Sequence, residues 1–264
     1  MTAPLEPGAL PDAAFLLDLA ERAARQTLPR FRAGTGVDNK LAQGFDPVTE
    51  ADRAAERAIV EAIAERFPDD AILGEEYGAS GEGSRRWVID PIDGTRSFIC
   101  GVPLWATLIG LTIEGRARVG IMSQPFTGEA YVADGRSAIL HHGGTQRPLR
   151  TRTGVSLSEA VLFTTDATIY DAAGTARFEA LRAGAKLTRY SADAYAFALL
   201  ASGQIDLCVE PPVQPYDIVA LIPIIEQAGG VVTRWDGGRA EDGGPIVAAG
   251  SAALHAQALE ILNG

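Results

Sequence analysis

The sequence predicts an α/β (α+β) protein of stacked helical and sheet layers. Three observations predict it. Helix-like and strand-like segments interleave in both halves of the chain, a pattern that packs as layers. The first half strings three strand-like runs on short turns, which argues against a purely doubly wound sheet. The 264 residues, 47% of them hydrophobic, can bury a sizeable core in one large domain or two closely joined ones.

Residues 11–28 read as an amphipathic helix with Phe15, Leu16, Leu19 and Ala23 on one face. Residues 33–46 read as a loop. Residues 49–67 read as a second helix, with Ala55, Ile59, Ile63 and Phe67 in its apolar stripe and Pro68 ending it. Strand-like runs follow at 71–73, 87–89, 104–113, 118–123 and 130–133. Glu114-Gly115 and Thr127-Gly128 join the last three as turns, so they form an antiparallel meander. The stretch His141–Pro148 breaks the pattern and divides the chain into residues 1–140 and 141–264. Beyond it, strands are expected at 161–165, 186–190, 205–209, 231–233 and 246–249. Helices are expected at 175–183, 192–202, 216–228 and 252–262.

Composition narrows the function. No apolar run approaches the ~18 residues that span a bilayer, and residues 1–7 lack the basic-then-apolar order of a secretory signal. Cys100 and Cys208 are too few for a disulfide framework. A cytoplasmic location is the expectation. The formal charge of −11 argues against nucleic-acid polymers and acidic membranes as partners. His141, His142 and His255 do not make a His-rich zinc site, so any metal should have oxygen ligands, which favours Mg2+ or Mn2+.

Several carboxylates stand out by position. Asp90 and Asp93 follow the apolar run Trp87-Val88-Ile89. Pro91 biases Asp90 toward extended backbone, and such a tight strand exit can turn two carboxylates toward one point. Gly94 permits close approach, and a helical turn at Gly94–Phe98 would offer N–H groups to a phosphate. Asp, Pro and Gly are also ordinary turn residues, so this run alone reads equally well as a turn. Glu75 and Glu76 end a strand and read alone as loop charge. Asp52 is explained by a cap at Thr49, Asp217 by capping at its own helix start, and Glu210 before Pro211-Pro212 by a loop.

Taken together and in order, these pieces resemble the inositol monophosphatase superfamily. The resembling segments are Asp46–Asp52, Gly74-Glu75-Glu76, Trp87–Thr95, and Pro215-Tyr216-Asp217 before a helix ending Glu226–Gly230. They span most of the chain, from about Lys40 to Gly230. Within the superfamily, Gly94–Ile99, Gly101–Ile109, Asp193–Phe197 and Pro215-Tyr216-Asp217 resemble the histidinol-phosphate phosphatase branch. Val213-Gln214 and Ala194 depart from that branch, where Leu-Lys and Cys are expected.

The resemblance implies the layered α-β-α-β-α sugar phosphatase fold and a Mg2+-dependent phosphate monoester hydrolase. It implies that Glu75, Asp90 and the Ile92 carbonyl hold one metal, and that Asp90, Asp93 and Asp217 hold a second. Thr95 and Asp52 would orient the attacking water, with Glu75 also serving catalysis. Gly94 and Thr95 N–H groups would hold the phosphate, and Ser191, Asp193 and Glu210 would contact substrate. The substrate is expected to be a small phosphorylated metabolite, with histidinol phosphate first. Inositol 1-phosphate and 3′-phosphoadenosine 5′-phosphate are the alternatives, and a noncatalytic metal- or phosphate-binding protein is the remote one. A homodimer is expected.

Overall fold

The computed structural model describes residues 9–34, 36–39 and 47–264. Asp46, and most of the loop expected at 33–46, lie outside the described residues. The chain begins with helix α1 (Ala13–Thr27), the antiparallel pair β1 (Val37–Asn39) and β2 (Pro47–Thr49), and helix α2 (Glu50–Arg66). Asp12 caps α1 by accepting from the Phe15 N–H at 2.9 Å. Thr49 and Asp52 form a capping box on α2. Strands β3 (Ala71–Gly74), β4 (Gly78–Ser80) and β5 (Arg85–Asp93) follow, then the short helix α3 (Thr95–Ile99). The expected meander is present as β6 (Ala106–Ile113), β7 (Arg116–Gln124) and β8 (Glu129–Ala133).

Next come β9 (Ala138–His142) and β10 (Thr145–Pro148). The stretch His141–Pro148 is therefore a hairpin on the larger sheet, and the chain leaves that sheet after Pro148 rather than at residue 140. Every β10 residue is exposed. Its polar, Gly-flanked sequence has the character of an edge strand, and resembles a linker for that reason.

The remainder comprises β11 (Val161–Thr164), α4 (Ala172–Gly184), β12 (Leu187–Tyr190), α5 (Asp193–Ala201) and β13 (Leu207–Val213). The chain then forms α6 (Pro215–Ile218), α7 (Leu221–Gln227), β14 (Val231–Arg234), β15 (Gly244–Ala249) and α8 (Ala252–Asn263). The single helix expected at 216–228 is thus two. Pro223 has no N–H to give Val219, so continuous α-helical bonding cannot run through this point.

One sheet has eight strands in the order β10-β9-β8-β7-β6-β5-β3-β4, and another has five in the order β12-β11-β13-β15-β14. Three cores stack them into five layers. Phe15, Leu16 and Leu19 of α1 and Ile59 and Ile63 of α2 pack on Trp87, Ile109 and Ile121 of the larger sheet. Helices α5 and α7 lie between the sheets, burying Phe197, Leu200, Leu221 and Ile225 against Leu108, Met122, Cys208 and Ile246. Helices α4 and α8 cover the outer face of the smaller sheet through Phe178, Leu181, Leu254 and Leu262. Trp87 is fully buried, its ring against Phe15 and Phe67, and its Nε1 donates to Asp70 at 2.9 Å. A buried aromatic of this kind contributes roughly 3 kcal/mol by area.

Candidate active site

Residues three apart on a regular strand face opposite sides of the sheet. Asp90 and Asp93 avoid this because β5 bulges between them. Asp90 pairs with Leu108 and Asp93 with Ala106, so Pro91 and Ile92 together oppose Thr107. Pro91 has no N–H to leave unpaired, and its carbonyl accepts from Thr107 Oγ1 at 2.8 Å. The extra residue brings both carboxylates to one side. Ile92 anchors the bulge from beneath, in an aromatic cluster of Phe31, Phe98 and Trp105 that also takes in Ala51 at the start of α2.

Neighbouring elements deliver three more acids. Strand β3 runs parallel to β5 with Gly74 abreast of Ile89, and the Glu75 N–H donates to the Ile89 carbonyl at 3.1 Å. Glu75 thus leaves its strand beside Asp90. Asp52 is buried in the first turn of α2, where its Oδ2 accepts from Thr49 N at 2.8 Å and Thr49 Oγ1 at 2.6 Å. Asp217 sits in the first turn of α6, accepting from Gln214 N at 2.7 Å.

A notch in the larger sheet lets α6 come close. Gly110 and Gly120 face each other across β6 and β7, and a Cβ on either would collide with the backbone of Ala220. Only glycines admit the chain at that depth. Asp90, Asp93 and Asp217 each place a carboxylate oxygen within 4.8 Å of the others.

Such crowding is electrostatically unfavourable by itself. Burial, then the charges of Glu75, Asp93 and Asp217, push Asp90 well above the ordinary carboxylate range. Burial, then Asp193 and Asp217, do the same to Asp93. Asp52 is raised by burial against the opposing Thr49 bonds. Asp90 is 1% exposed, and its Oδ1 is buried without a hydrogen-bond partner. Asp52 Oδ1 is in the same condition. Acceptor oxygens that converge and lack donors suit hard divalent cations, which invert the local charge. The donor set fits Mg2+ or Mn2+ and contains no nitrogen or sulfur.

The expected phosphate side adjoins this cluster. Gly94 begins α3 at φ 77°, with no side-chain cap bond at that end. A Cβ there would lie 3.0 Å from Asp193 Oδ2, so glycine is required for both conformation and space. Thr95 Oγ1 donates to the Ile92 carbonyl at 3.0 Å. That bond ties together two residues expected to serve metal and water, and leaves the carbonyl a second lone pair.

Opposite lies a cavity of about 230 Å³ lined by Asp93, Thr165, Ile169, Asp193, Phe197, Glu210, Pro212 and Asp217, among others. Glu210 stands at a second bulge, in β13 between Glu210 and Pro212, so it belongs to a strand rather than a loop. Thr165 holds it through N (2.9 Å) and Oγ1 (3.1 Å) to Oε1. Burial pushes Glu210 up to about 8 despite those bonds. Asp193 has a positive φ of 45° and accepts from Ser97 Oγ at 3.1 Å. The next residue's N–H, that of Ala194, donates to Asp93 Oδ2 at 2.7 Å. Ser191 is exposed and is not among the residues lining this cavity.

The sequence model of the inositol monophosphatase family matches residues 11–263. The chain belongs to the inositol monophosphatase family. It is 39% identical over 246 residues to a histidinol-phosphatase of Chlorobaculum parvum, covering 92% of this chain and 93% of that protein. It is also 39% identical over 232 residues to the bifunctional phosphatase IMPL2 of Arabidopsis thaliana, covering 83% of this chain and 66% of that one. Among solved structures, an inositol monophosphatase from Zymomonas mobilis superposes with a TM-score of 0.84 at 35% identity, over 95% of this chain and 97% of that one. The family's layered fold is that described above, and the chain is a phosphoric monoester hydrolase.

Sequence reasoning missed the supporting residues: Thr107, Ser97, Thr165 and the glycine notch. A local signal did exist for the bulges. Asp90-Pro91 and Glu210-Pro211 are both acid–proline pairs ending apolar runs, and both mark a register shift. The threonines and the glycine pair carry no such signal, since their partners are remote in sequence.

Proposed function

We propose that this phosphatase hydrolyses L-histidinol phosphate to L-histidinol and inorganic phosphate, with Mg2+ as its natural metal and Mn2+ as a substitute. The observation that carries the substrate is the cavity beside the carboxylate cluster. Asp193 and Glu210 line it with Ile169, Phe197 and Pro212, which suits a substrate bearing an ammonium group and a flat ring. An ammonium between the two acids favours their charged forms. Relatives named histidinol-phosphatase, which align over nearly their whole length, support the same reading.

Glu75, Asp90 and the Ile92 carbonyl would hold one cation, and Asp90, Asp93 and Asp217 a second. Bound cations supply positive charge to the phosphate and lower the pKa of water near it. Asp52 Oδ1 and Thr95 Oγ1 would orient the attacking water, with Asp52 accepting from it. The N–H groups of Gly94 and Thr95 would hold phosphate oxygens, and Ser191 would meet the substrate at the rim. Water attacks directly, with no phosphoenzyme. Residues 1–148 would carry most of the metal ligands and residues 149–264 would complete the pocket. The same reading makes the chain a cytoplasmic homodimer acting on a free metabolite.

The test is a rate panel with histidinol phosphate, inositol 1-phosphate and 3′-phosphoadenosine 5′-phosphate, with Mg2+ and with chelator. The expected result is the highest kcat/KM on histidinol phosphate and no turnover in chelator. Preference for either other substrate would sink the assignment. Turnover that survives exhaustive chelation would remove the metal from it.

A further inference from the structure

We infer that Glu56 is the positioning residue for Glu75, holding it against Asp90 so that the first cation can bind. The inference rests on the two-metal reading above and adds a residue to it.

Glu56 is 1% exposed and lies in the middle of α2, one turn after Asp52. Residues four apart on a helix share a face, so one face of α2 presents both acids. The Glu56 carboxylate accepts from two consecutive backbone groups, Glu76 N at 2.9 Å and Tyr77 N at 3.1 Å. These are the two residues directly after Glu75. On the other side of Glu75, Gly74 lies so close that a Cβ there would collide with the Glu56 carboxylate. Glu56 thus touches the chain before and after Glu75.

A buried carboxylate is a costly way to fill space. Removing it from water is unfavourable unless donors compensate, and an apolar residue would pack α2 without that cost. What a carboxylate adds is a charge-assisted, two-pronged hold on backbone N–H groups. Glu75 needs such a hold. It leaves β3 beside Asp90, at the start of the turn into β4. The Glu56 hold, with the Glu75 N–H bonded to Ile89, fixes the backbone of the turn so that Glu75 stays presented. A pre-set ligand loses less freedom on binding metal.

The test is calorimetric Mn2+ titration of the metal-free full chain, compared with Glu56→Gln. Glutamine keeps the size but presents an NH2 group to one of the two N–H donors. The expected result is Mn2+ affinity lowered about 10–100-fold, the range for residues that orient a ligand. KM for the phosphomonoester at saturating metal should be little changed, and so should the far-UV spectrum. If Glu56→Gln does not fold, Gly74→Ala pushes on the same carboxylate from the other side and should weaken Mn2+ in the same way. Wild-type Mn2+ affinity in either folded variant overturns the inference, even if the melting temperature falls. Absence of Mn2+ binding by the unmutated chain would instead overturn the two-metal reading.

Discussion

Asp90 shows how one residue can be unfavourable to folding and yet well placed to hold a cation. It is almost fully buried, beside other acids, and one of its oxygens has no hydrogen-bond partner. Asparagine at this position removes the repulsion while keeping the shape. For Asp90→Asn we expect turnover reduced more than ~100-fold, since even residues that merely orient ligands cost 10–100-fold. The metal-free melting temperature should stay the same or rise. Rates with Mg2+ and a thermal melt in chelator measure the two effects separately. Near-normal rates would defeat the assignment of Asp90 as a shared ligand.

At the scale of elements, the site is made by irregularities. The bulge at Pro91 brings together two carboxylates that a regular strand would send to opposite faces, and a second bulge, at Pro211, directly follows Glu210. The notch at Gly110 and Gly120 lets the backbone at Ala220 descend and carries Asp217 to the cluster. Gly120→Ala should therefore cost about 1–3 kcal/mol by overpacking. That lowers Tm by several degrees in a chain of this size, at ~2–4 °C per kcal/mol. It should also weaken Mg2+, because the displaced backbone leads directly to Asp217. Melting curves and metal titration of the variant measure both. Unchanged stability together with unchanged Mg2+ affinity would show that the notch does not set the position of α6.

At the scale of the whole molecule, a chain of formal charge −11 concentrates acids at the site proposed to bind an anion. Five of them, Asp52, Asp90, Asp93, Asp193 and Glu210, are raised in the fold, chiefly by burial. Glu210 is held at about 8, against 4.5 ordinarily. Between those values the folded chain keeps a proton that the unfolded chain has released. The metal-free fold is thus most favoured below the ordinary value and loses stability as pH rises toward about 8. Exposed acids with lowered values, such as Glu50 and Asp236, are already ionised throughout that window and add no slope. In chelator, Tm should fall between about pH 5 and about pH 8. Mg2+ at ~100 times its Kd should restore roughly 5–10 °C, with the larger gain at the higher pH. Scanning calorimetry with and without Mg2+ checks this, and a melt indifferent to Mg2+ would contradict the metal centre.

Local order along the chain was enough to read the layered class, the two N-terminal helices and the meander, because each depends on periodicity, caps and turns within a few residues. The order of the acidic segments was likewise enough to indicate the family. Sequence alone could not separate a turn from a site at Asp90–Thr95, since capping or looping explained every acid taken singly. The tertiary structure decided that Asp90, Asp93 and Asp217 converge, because the β5 bulge and a glycine notch act between remote residues, and parallel pairing of β3 with β5 brings Glu75 beside them. It also decided that Glu210 lies in a strand and that His141–Pro148 extends a sheet. Hydrogen-bond register and close packing fix such features, and neither leaves a periodic trace in the sequence.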